Sequence, residues 1–253
     1  MNSFISRIGG KKLLRKEILK RFPKEKPQKY VEVFGGAGWV LFASASHAKV
    51  EVFNDIEGNL VNLFRCVKYH CEELERQTEL LLHSREIFED IKAQLKCRGF
   101  TDIQRAAQYY MLIKESYGSS LTSFGGTARN MKAAREYLSE ASLRLQRVKI
   151  ECKDFENLIK IYDSVNTLFY LDPPYHGTEE YYCSEFTNAD HLRLFECLKN
   201  IKGKFILSYN DDDFIRQLYN NYDIESIDRQ NNLAMRYPDK AKKYIELIIR
   251  NYK

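Results

Sequence analysis

Residues 29–55 decide the fold, and they read KYVEVFGGAGWVLFASASHAKVEVFND. The segment opens with a β-branched and aromatic run at residues 29–34, which stops at a glycine-rich turn at residues 35–38. Residues 39–47 then have a helix-compatible composition. The sequence therefore predicts a strand, a glycine turn and a helix.

A second apolar run at residues 49–53 ends at Asp55, so an acidic residue stands at a strand terminus about twenty residues beyond the first glycine. Residues 56–145 repeat apolar side chains at spacings of three and four, which predicts helices, interrupted by a polar loop at residues 117–126. Further strands are predicted at 148–152, 167–171, 204–208 and 244–250, and a helix at 188–201. We expect an open, mostly parallel α/β sheet with a helical insertion and with functional residues at the carboxyl ends of its strands.

Composition excludes several classes of protein. The 253-residue chain has 44% hydrophobic and 30% charged residues and a formal net charge of +5, which is compatible with a polyanionic partner without demonstrating one. No stretch reaches the roughly 18 apolar residues of a membrane span, and the N-terminus has no apolar signal core, so we expect a cytoplasmic protein without a membrane partner. The cysteines form no C-x-x-C pair and the histidines show no metal-ligand spacing, which argues against a metal site or a disulfide framework.

The glycine turn and Asp55 together predict a cofactor that contains adenosine. Glycine lets the backbone approach a ligand closely, and a carboxylate at the end of the second strand can accept hydrogen bonds from both ribose hydroxyls. The spacing of Gly35, Gly36 and Gly38 does not reproduce G-x-G-x-x-G, which disfavours a nicotinamide dinucleotide. In the structural alternative, the glycines only make a tight turn and Asp55 caps the following helix.

The tetrapeptide Asp172-Pro173-Pro174-Tyr175 follows an apolar strand, and its two prolines force the chain out of the sheet and fix the local backbone. Such a loop can present the Asp172 carboxylate and the Pro173 carbonyl as two acceptors for one amino group, with the Tyr175 ring available to stack on a base. The alternative is an ordinary Asp-Pro turn with a packed tyrosine. The tetrapeptide indicates an amino group on a nucleobase as the substrate.

These motifs together resemble the Dam-type DNA adenine methyltransferases of the D12 class, especially their phage and prophage members. The resemblance covers nearly the whole chain, and it includes Ile8-Gly9-Gly10-Lys11-Lys12, Ser116-Tyr117-Gly118-Ser119, Ser123-Phe124-Gly125 and residues 178–182. It implies a Rossmann-like class I methyltransferase sheet formed by residues 1–58 and 147–253. Residues 59–146 would be inserted as a mostly helical target-recognition domain.

The resemblance also implies a cofactor, S-adenosyl-L-methionine, and the residues that bind it. They are Arg7, Gly9, Gly10, Lys11, Phe34, Gly35, Gly36, Gly38, Asp55, Ile56, Asp154, Phe155 and Asp172. Lys11 would lie near the methionine carboxylate, and Asp154 with Phe155 at the adenine edge. Without the resemblance, Lys11 could be a solvated lysine at a helix end, and Asp154 could cap the helix that follows.

One residue departs from the family pattern. Phage-type relatives usually carry a tryptophan where this chain has Arg7. Because arginine cannot pack as an indole does, we expect cofactor affinity or the ordering of the N-terminal segment to differ.

The reaction that the resemblance implies is methyl transfer to the exocyclic N6 amino group of an adenine flipped out of double-stranded DNA, with catalytic residues Asp172, Pro173, Pro174 and Tyr175. DNA contacts are predicted at Tyr117, Ser119, Ser120, Ser123, Arg129, Lys132, Tyr181, Tyr182 and Arg236. We expect a monomer that holds no metal, and the family is compatible with a cognate restriction endonuclease as partner.

Three other functions stay open at this point. A DNA cytosine-N4 methyltransferase could grip the amino group of cytosine with the same tetrapeptide. A methyltransferase acting on RNA or on a protein amide would share the cofactor fold. A DNA-binding relative that has lost catalysis would keep the basic insertion without binding the cofactor.

Overall fold

The computed structural model describes residues 1–125, 131–177, 186–229 and 244–253. Within them one sheet contains the strands β1 (Lys29–Glu32), β2 (Val50–Asn54), β3 (Val148–Glu151), β4 (Thr167–Leu171), β5 (Lys204–Asn210), β6 (Asp223–Arg229) and β7 (Tyr244–Arg250). The α-helices are α1 (Arg15–Lys20), α2 (Gly58–Tyr69), α3 (Cys71–Glu79), α4 (Arg85–Gln94), α5 (Asp102–Glu115), α6 (Met131–Leu145), α7 (Phe155–Tyr162), α8 (Asn188–Lys199) and α9 (Asp213–Leu218). None of these helices combines the length and the apolar character needed to cross a membrane.

The strands lie in the order β3-β2-β1-β4-β5-β7-β6. β1 pairs in parallel with β2 on one side and β4 on the other, so that Lys29 lies opposite both Val50 and Thr167. β3 and β5 extend the parallel part, and β7 inserts antiparallel between β5 and β6. The chain thus leaves β1 on one side and returns on the other at β4, which places a ligand-binding switch point at their carboxyl ends. The predicted Rossmann-like, mostly parallel sheet is confirmed.

Side chains alternate between the two faces of the sheet and divide the core into two layers. On one face Tyr30 and Tyr170 pack with residues of α2, α5 and α6. On the other face Val31 and Phe169 pack with residues of α7, α8 and α9. Both faces of the central strands are therefore buried, which explains why β4 reads as an uninterrupted apolar run.

The predicted helical insertion is observed as helices α2 to α6, between β2 and β3. Residues of α2, α3, α5 and α6 share one hydrophobic cluster with Tyr30 and Phe53 of the sheet. A smaller cluster of Phe88, Ile91, Met111 and Leu112 joins α4 to α5. Most of the insertion thus completes the core of the sheet, and its boundaries at residues 59–146 as a separate recognition domain stay a prediction.

The helix predicted at residues 39–47 is wrong. The chain there forms a short 3-10 helix, Leu41–Ala43, followed by bends. Carbonyl groups that a longer helix would use are bound by side chains instead, since Val40 accepts a hydrogen bond from His47 Nε2 at 2.8 Å and Leu41 accepts one from Arg144 at 3.0 Å. These side-chain contacts, of which the one from Arg144 is long-range, outweigh the local preference of the segment.

Arg144 ties α6 to β2 through a buried ion pair, in which its terminal nitrogens lie 2.7 and 2.8 Å from the two Glu51 carboxylate oxygens. The side chains are only 7% and 4% exposed. Arg144→Leu would leave the Glu51 carboxylate buried without its partner, so we expect the free energy of unfolding to fall by about 3–5 kcal/mol. Denaturation by urea measures this change.

The control for that experiment is Arg76→Leu, which breaks the exposed pair between Arg76 and Glu73 at 2.7 Å. Solvent screens such a pair, so little change is expected. Equal losses in the two variants would contradict the assignment of Arg144 as a buried structural cation.

Candidate active site

A cleft opens at the switch point of the sheet, beside the carboxyl ends of β1 and β4. Its empty space is about 980 Å³, including the part open to solvent. The walls come from five segments, at residues 7–11, 32–40, 55–60, 119–121 and 170–174. Segments far apart in the sequence therefore meet at the edge where functional residues are predicted.

The glycine loop in the cleft wall is held by backbone and carboxylate contacts. Gly35 N–H donates to the Asn54 carbonyl at 2.7 Å, and Gly36 N–H donates to Asp55 Oδ2 at 2.8 Å. The other Asp55 oxygen accepts from the backbone N–H of Glu57 at 2.9 Å. Burial raises the pKa of Asp55, and these two hydrogen bonds oppose the rise. Asp55 thus fixes the glycine loop and the residue before α2, and it also lines the cleft. It does not cap α2 as the structural alternative held, because the N-cap position is Glu57.

Two neighbouring glycines should respond differently to an added methyl group. At Gly35 a Cβ would lie 2.2 Å from Phe53 Cε2, whereas at Gly36 it would meet no described heavy atom within 4 Å. Gly35→Ala is expected to lower the free energy of unfolding by about 3 kcal/mol or more through overpacking. Gly36 has φ +49°, so Gly36→Ala should cost about 1–2 kcal/mol. Chemical denaturation compares the variants, and equal losses would contradict this geometry.

Lys11 connects the N-terminal segment to the end of β4. Its side chain is 4% exposed, and Nζ lies 2.8 Å from Asp172 Oδ1 and donates to the Gly9 carbonyl at 2.9 Å. The same ammonium lies 4.6 Å from the centroid of the Tyr175 ring. The alternative of a solvated lysine at a helix end is wrong, because α1 begins only at Arg15 and the ammonium is enclosed by these groups.

Arg7 lies in the cleft wall within a polar cluster. One terminal nitrogen of its guanidinium is 2.7 Å from Glu57 Oε2, and the Tyr109 hydroxyl contacts both side chains. Tyr109 belongs to α5, so the cluster joins the N-terminal segment to the helical insertion. An ion pair and hydrogen bonds thus take the place of the ring packing expected of a tryptophan.

A row of polar side chains crosses the sheet near the cleft. The row consists of Glu32, Asp172, Ser208 and Glu246. Each of them stands two positions from a residue that packs in the same core layer as Tyr30, so all four side chains lie on that face of the sheet. Ser208 Oγ donates to Asp172 Oδ1 at 2.9 Å. Burial raises the pKa of Asp172, and the Lys11 ammonium opposes the rise. Among the described residues, no three His, Cys, Asp or Glu side chains are grouped to hold a metal ion.

Glu32 lines the cleft and is only 2% exposed. The Tyr30 hydroxyl donates to Glu32 Oε2 at 2.7 Å, but burial raises the pKa of this carboxyl from 4.5 to about 8. The native state therefore binds a proton that the unfolded chain releases, and the contribution of Glu32 to stability falls as pH rises between these two values.

Glu32→Gln removes this titration with little change in size. As the pH rises from about 5 to about 8, the free energy of unfolding of the variant should fall less than that of the wild type. Urea unfolding at both pH values measures the difference. The same pH dependence in both proteins would contradict a protonated Glu32 in the native state.

The tetrapeptide forms the predicted loop directly after β4 ends at Leu171. Pro173 and Pro174 are buried, and Pro174 lines the cleft together with Asp172. Tyr175 is half-buried, and its hydroxyl donates to Glu246 Oε2 at 3.0 Å. The Asp172 carboxylate therefore borders the space lined by the glycine loop.

Residues 8–233 match the family model of the D12 class N6 adenine-specific DNA methyltransferases. The match spans most of the chain and includes both the glycine loop and the tetrapeptide. The chain belongs to this family. It is a DNA adenine methyltransferase, and the family suggested by the sequence is confirmed.

Several named proteins are similar to the methyltransferase along most of their length. It is 26% identical to the type II methyltransferase M.MjaIII of Methanocaldococcus jannaschii, over 98% of each chain. It is 24% identical to the retron Ec67 DNA adenine methylase of Escherichia coli, over 88% of this chain and 82% of that protein. Identity to the DNA adenine methylase of Haemophilus influenzae is 26%, over 97% and 92% of the two chains.

Most of the residues that were predicted to bind the cofactor of the methyltransferase meet in the cleft. Those that line it are Arg7, Gly9, Gly10, Lys11, Phe34, Gly35, Gly36, Asp55, Ile56 and Asp172. Gly38 is outside the lining and closes the turn instead, with its N–H donating to the Gly35 carbonyl at 2.8 Å. Their role toward a cofactor stays a prediction.

Asp154 and Phe155 are also outside the lining of the cleft. Asp154 Oδ1 accepts from the backbone N–H of Glu156 at 3.0 Å, and Oδ2 lies 2.9 Å from Arg193. Asp154 therefore caps α7, as its alternative interpretation held. Phe155 packs 5.7 Å from the ring of Phe34, a cleft residue, so the pair borders the cleft indirectly.

The residues predicted to contact DNA have different positions in the methyltransferase. Tyr117 is 72% exposed and Ser123 is exposed, whereas Ser119 and Ser120 line the cleft. Arg129, Tyr181, Tyr182 and Arg236 lie outside the described residues, and the side chain of Lys132 is not described.

Sequence reasoning missed several polar residues of the site, namely Glu32, Glu57, Tyr109, Ser208 and Glu246. Glu32 and Glu246 had a detectable signal, since each carboxylate has apolar residues as both of its neighbours in the sequence. Glu57 and Tyr109 are 52 positions apart, and nothing local in the sequence indicates that they meet.

Proposed function

We propose that this methyltransferase moves the methyl group of S-adenosyl-L-methionine to the N6 amino group of an adenine rotated out of double-stranded DNA. The observation that carries the proposal is the position of Asp172, which belongs to the tetrapeptide and also lines the cleft of the glycine loop. A cofactor in the cleft and an amino group at the tetrapeptide would therefore be neighbours. Family membership supports adenine in DNA as the substrate.

The residues of the cleft fit a cationic cofactor that contains adenosine. Gly36 leaves open space beside the backbone, and Asp55 offers lone pairs for ribose hydroxyls. Ile56 is 52% exposed at the cleft and presents an apolar surface to a purine. The Asp172 carboxylate favours a positively charged ligand such as a sulfonium, and Lys11 suits a carboxylate.

The exocyclic nitrogen of adenine is a poor nucleophile, because its lone pair is delocalised into the ring. When bound, the cofactor supplies an electrophilic methyl group. We assign the alignment of the nitrogen to the Asp172 carboxylate and the Pro173 carbonyl, which accept its two hydrogens and stabilise the positive charge that develops. Lys11 favours the ionised form of Asp172, which burial alone would disfavour.

An adenine inside a duplex hides its amino group, so the target base must leave the stack at a cost of a few kcal/mol. Tyr175 offers an aromatic ring next to Asp172, and the exposed Tyr117 and Ser123 of the insertion offer a surface for DNA. Ser119 and Ser120 lie in the same loop but line the cleft, so that loop borders both proposed ligand sites. A monomeric state, a cytoplasmic location and a partner endonuclease stay predictions.

Transfer of labelled methyl groups tests the proposal. Purified protein is incubated with S-adenosyl-L-methionine labelled in its methyl group and with unmethylated genomic DNA or an equal mass of RNA. We expect label in the DNA and none in the RNA. Label in RNA alone would overturn the DNA substrate.

Equilibrium titration with S-adenosyl-L-methionine, by calorimetry, addresses the rival function suggested by Arg7. Because Glu57 and Tyr109 accommodate the arginine, we expect saturable binding by the wild-type protein. Absence of both binding and label transfer in folded protein would instead support a DNA-binding relative that has lost catalysis.

A further inference from the structure

Glu246 is a buried carboxylate on β7, beyond the residues that match the family model. Its side chain is only 2% exposed, and Oε2 accepts a hydrogen bond from the Tyr175 hydroxyl at 3.0 Å. Burying a carboxylate is costly unless other groups satisfy it. The contact therefore links the C-terminal antiparallel strand to the tetrapeptide, which is 71 positions away in sequence.

The ring of Tyr175 is restrained at three places. Its hydroxyl is held by Glu246, and the Lys11 ammonium lies 4.6 Å from its centroid. The Tyr209 ring packs beside it, with centroids 6.1 Å apart, and the Tyr209 hydroxyl is 2.6 Å from His191 Nδ1. The orientation of the ring is thus set by contacts within the protein.

We propose that Glu246 is a positioning residue for the substrate base, because it holds the Tyr175 ring in the orientation that stacks on the flipped adenine. This inference rests on the proposed function. A tyrosine fixed through its hydroxyl loses little freedom when a base binds, and such preorganisation strengthens binding. The carboxylate is the stronger kind of acceptor for this purpose, since hydrogen bonds to charged groups exceed neutral ones.

The test compares two duplexes that differ at one nucleotide. Sites methylated by the wild-type protein are first mapped, and a duplex with such a site is prepared with the target adenine or with an abasic position in its place. The dissociation constant for the abasic duplex, divided by that for the adenine duplex, reports what the base itself contributes to binding. A general loss of structure would weaken binding to both duplexes and leave the ratio unchanged.

We expect Glu246→Leu and Tyr175→Phe each to lower this ratio by about 10-fold, which corresponds to the loss of one hydrogen bond to a charged group. The double variant should change it no further, because both substitutions remove the same contact. Glu246→Gln keeps a neutral acceptor for the hydroxyl and should recover part of the loss. Glu196→Leu removes an exposed carboxylate from α8 and serves as the control, with the wild-type ratio.

The outcomes separate the inference from the function on which it rests. If the wild type methylates DNA but Glu246→Leu and Tyr175→Phe keep its ratio, the positioning role is overturned and the proposed function stands. If the effects of the two substitutions add, the residues act independently and the inference also fails. If the wild type methylates no DNA, both are overturned. Should Glu246→Leu fail to fold, Tyr175→Phe and Glu246→Gln still decide the matter.

Discussion

Replacing Asp172 by Asn should lower kcat for methyl transfer at least about 10²–10³-fold, the loss seen when one preorganised group that stabilises a transition state is removed. Asparagine has almost the same shape, but it carries no charge and turns one acceptor into a donor. It would therefore repel one hydrogen of the amino group and leave the developing positive charge without its counter-charge. The measurement is steady-state transfer of labelled methyl groups to DNA, with thermal unfolding to confirm the fold.

Asp90→Asn is the matched control for this substitution. Asp90 is exposed on α4, and its side chain makes no hydrogen bond or ion pair with the described residues. Its replacement should leave kcat unchanged. Activity of Asp172→Asn within a few-fold of the wild type would contradict the role given to the carboxylate.

The second large effect is expected from Lys11→Met. Removing one partner of a buried ion pair costs about 3–5 kcal/mol, so the variant should be markedly less stable. It should also change the pH dependence of kcat. Burial raises the pKa of Asp172 and Lys11 opposes this, so loss of the ammonium lets the pKa rise further.

Because the ionised carboxylate is the proposed acceptor, activity should fall as pH drops through the pKa of Asp172. In Lys11→Met this acid limb should move to higher pH, and raising the pH should restore part of kcat. The profile is measured at saturating cofactor, since Lys11 also lines the cofactor cleft. Lys12→Met, at the exposed neighbouring position, should keep the wild-type profile. An unshifted acid limb in Lys11→Met would contradict the electrostatic link.

Local patterns in the sequence predicted much of the fold. β4 was predicted with its observed bounds, because a central parallel strand is buried on both faces and reads as a continuous apolar run. β6 was not predicted, since the sequence DIESIDR of this edge strand alternates with charges and resembles a solvated loop. The prediction of a helix at residues 39–47 failed for another reason. Carbonyl groups of this segment bind Arg144, which is about a hundred positions away in the sequence.

The candidate site was predictable where chemistry is concentrated in short motifs. The glycine loop, Asp55 and the tetrapeptide each have a local signature, and the structure brings them to one cleft. The supporting contacts have no such signature. The Lys11 pairing with Asp172 spans 161 positions, and Glu246 meets Tyr175 only because β7 inserts between β5 and β6. Strand pairing of this kind depends on the whole sheet and cannot be read from any one segment.

The central claim is that the tetrapeptide presents the amino group of adenine to a methyl donor in the cleft. Its most direct test is to digest DNA that the wild-type protein has labelled from S-adenosyl-L-methionine and to separate the nucleosides. The label is predicted in N6-methyladenine, and Asp172→Asn should remove it. Label in N4-methylcytosine would show that the same residues grip cytosine and would contradict the claim.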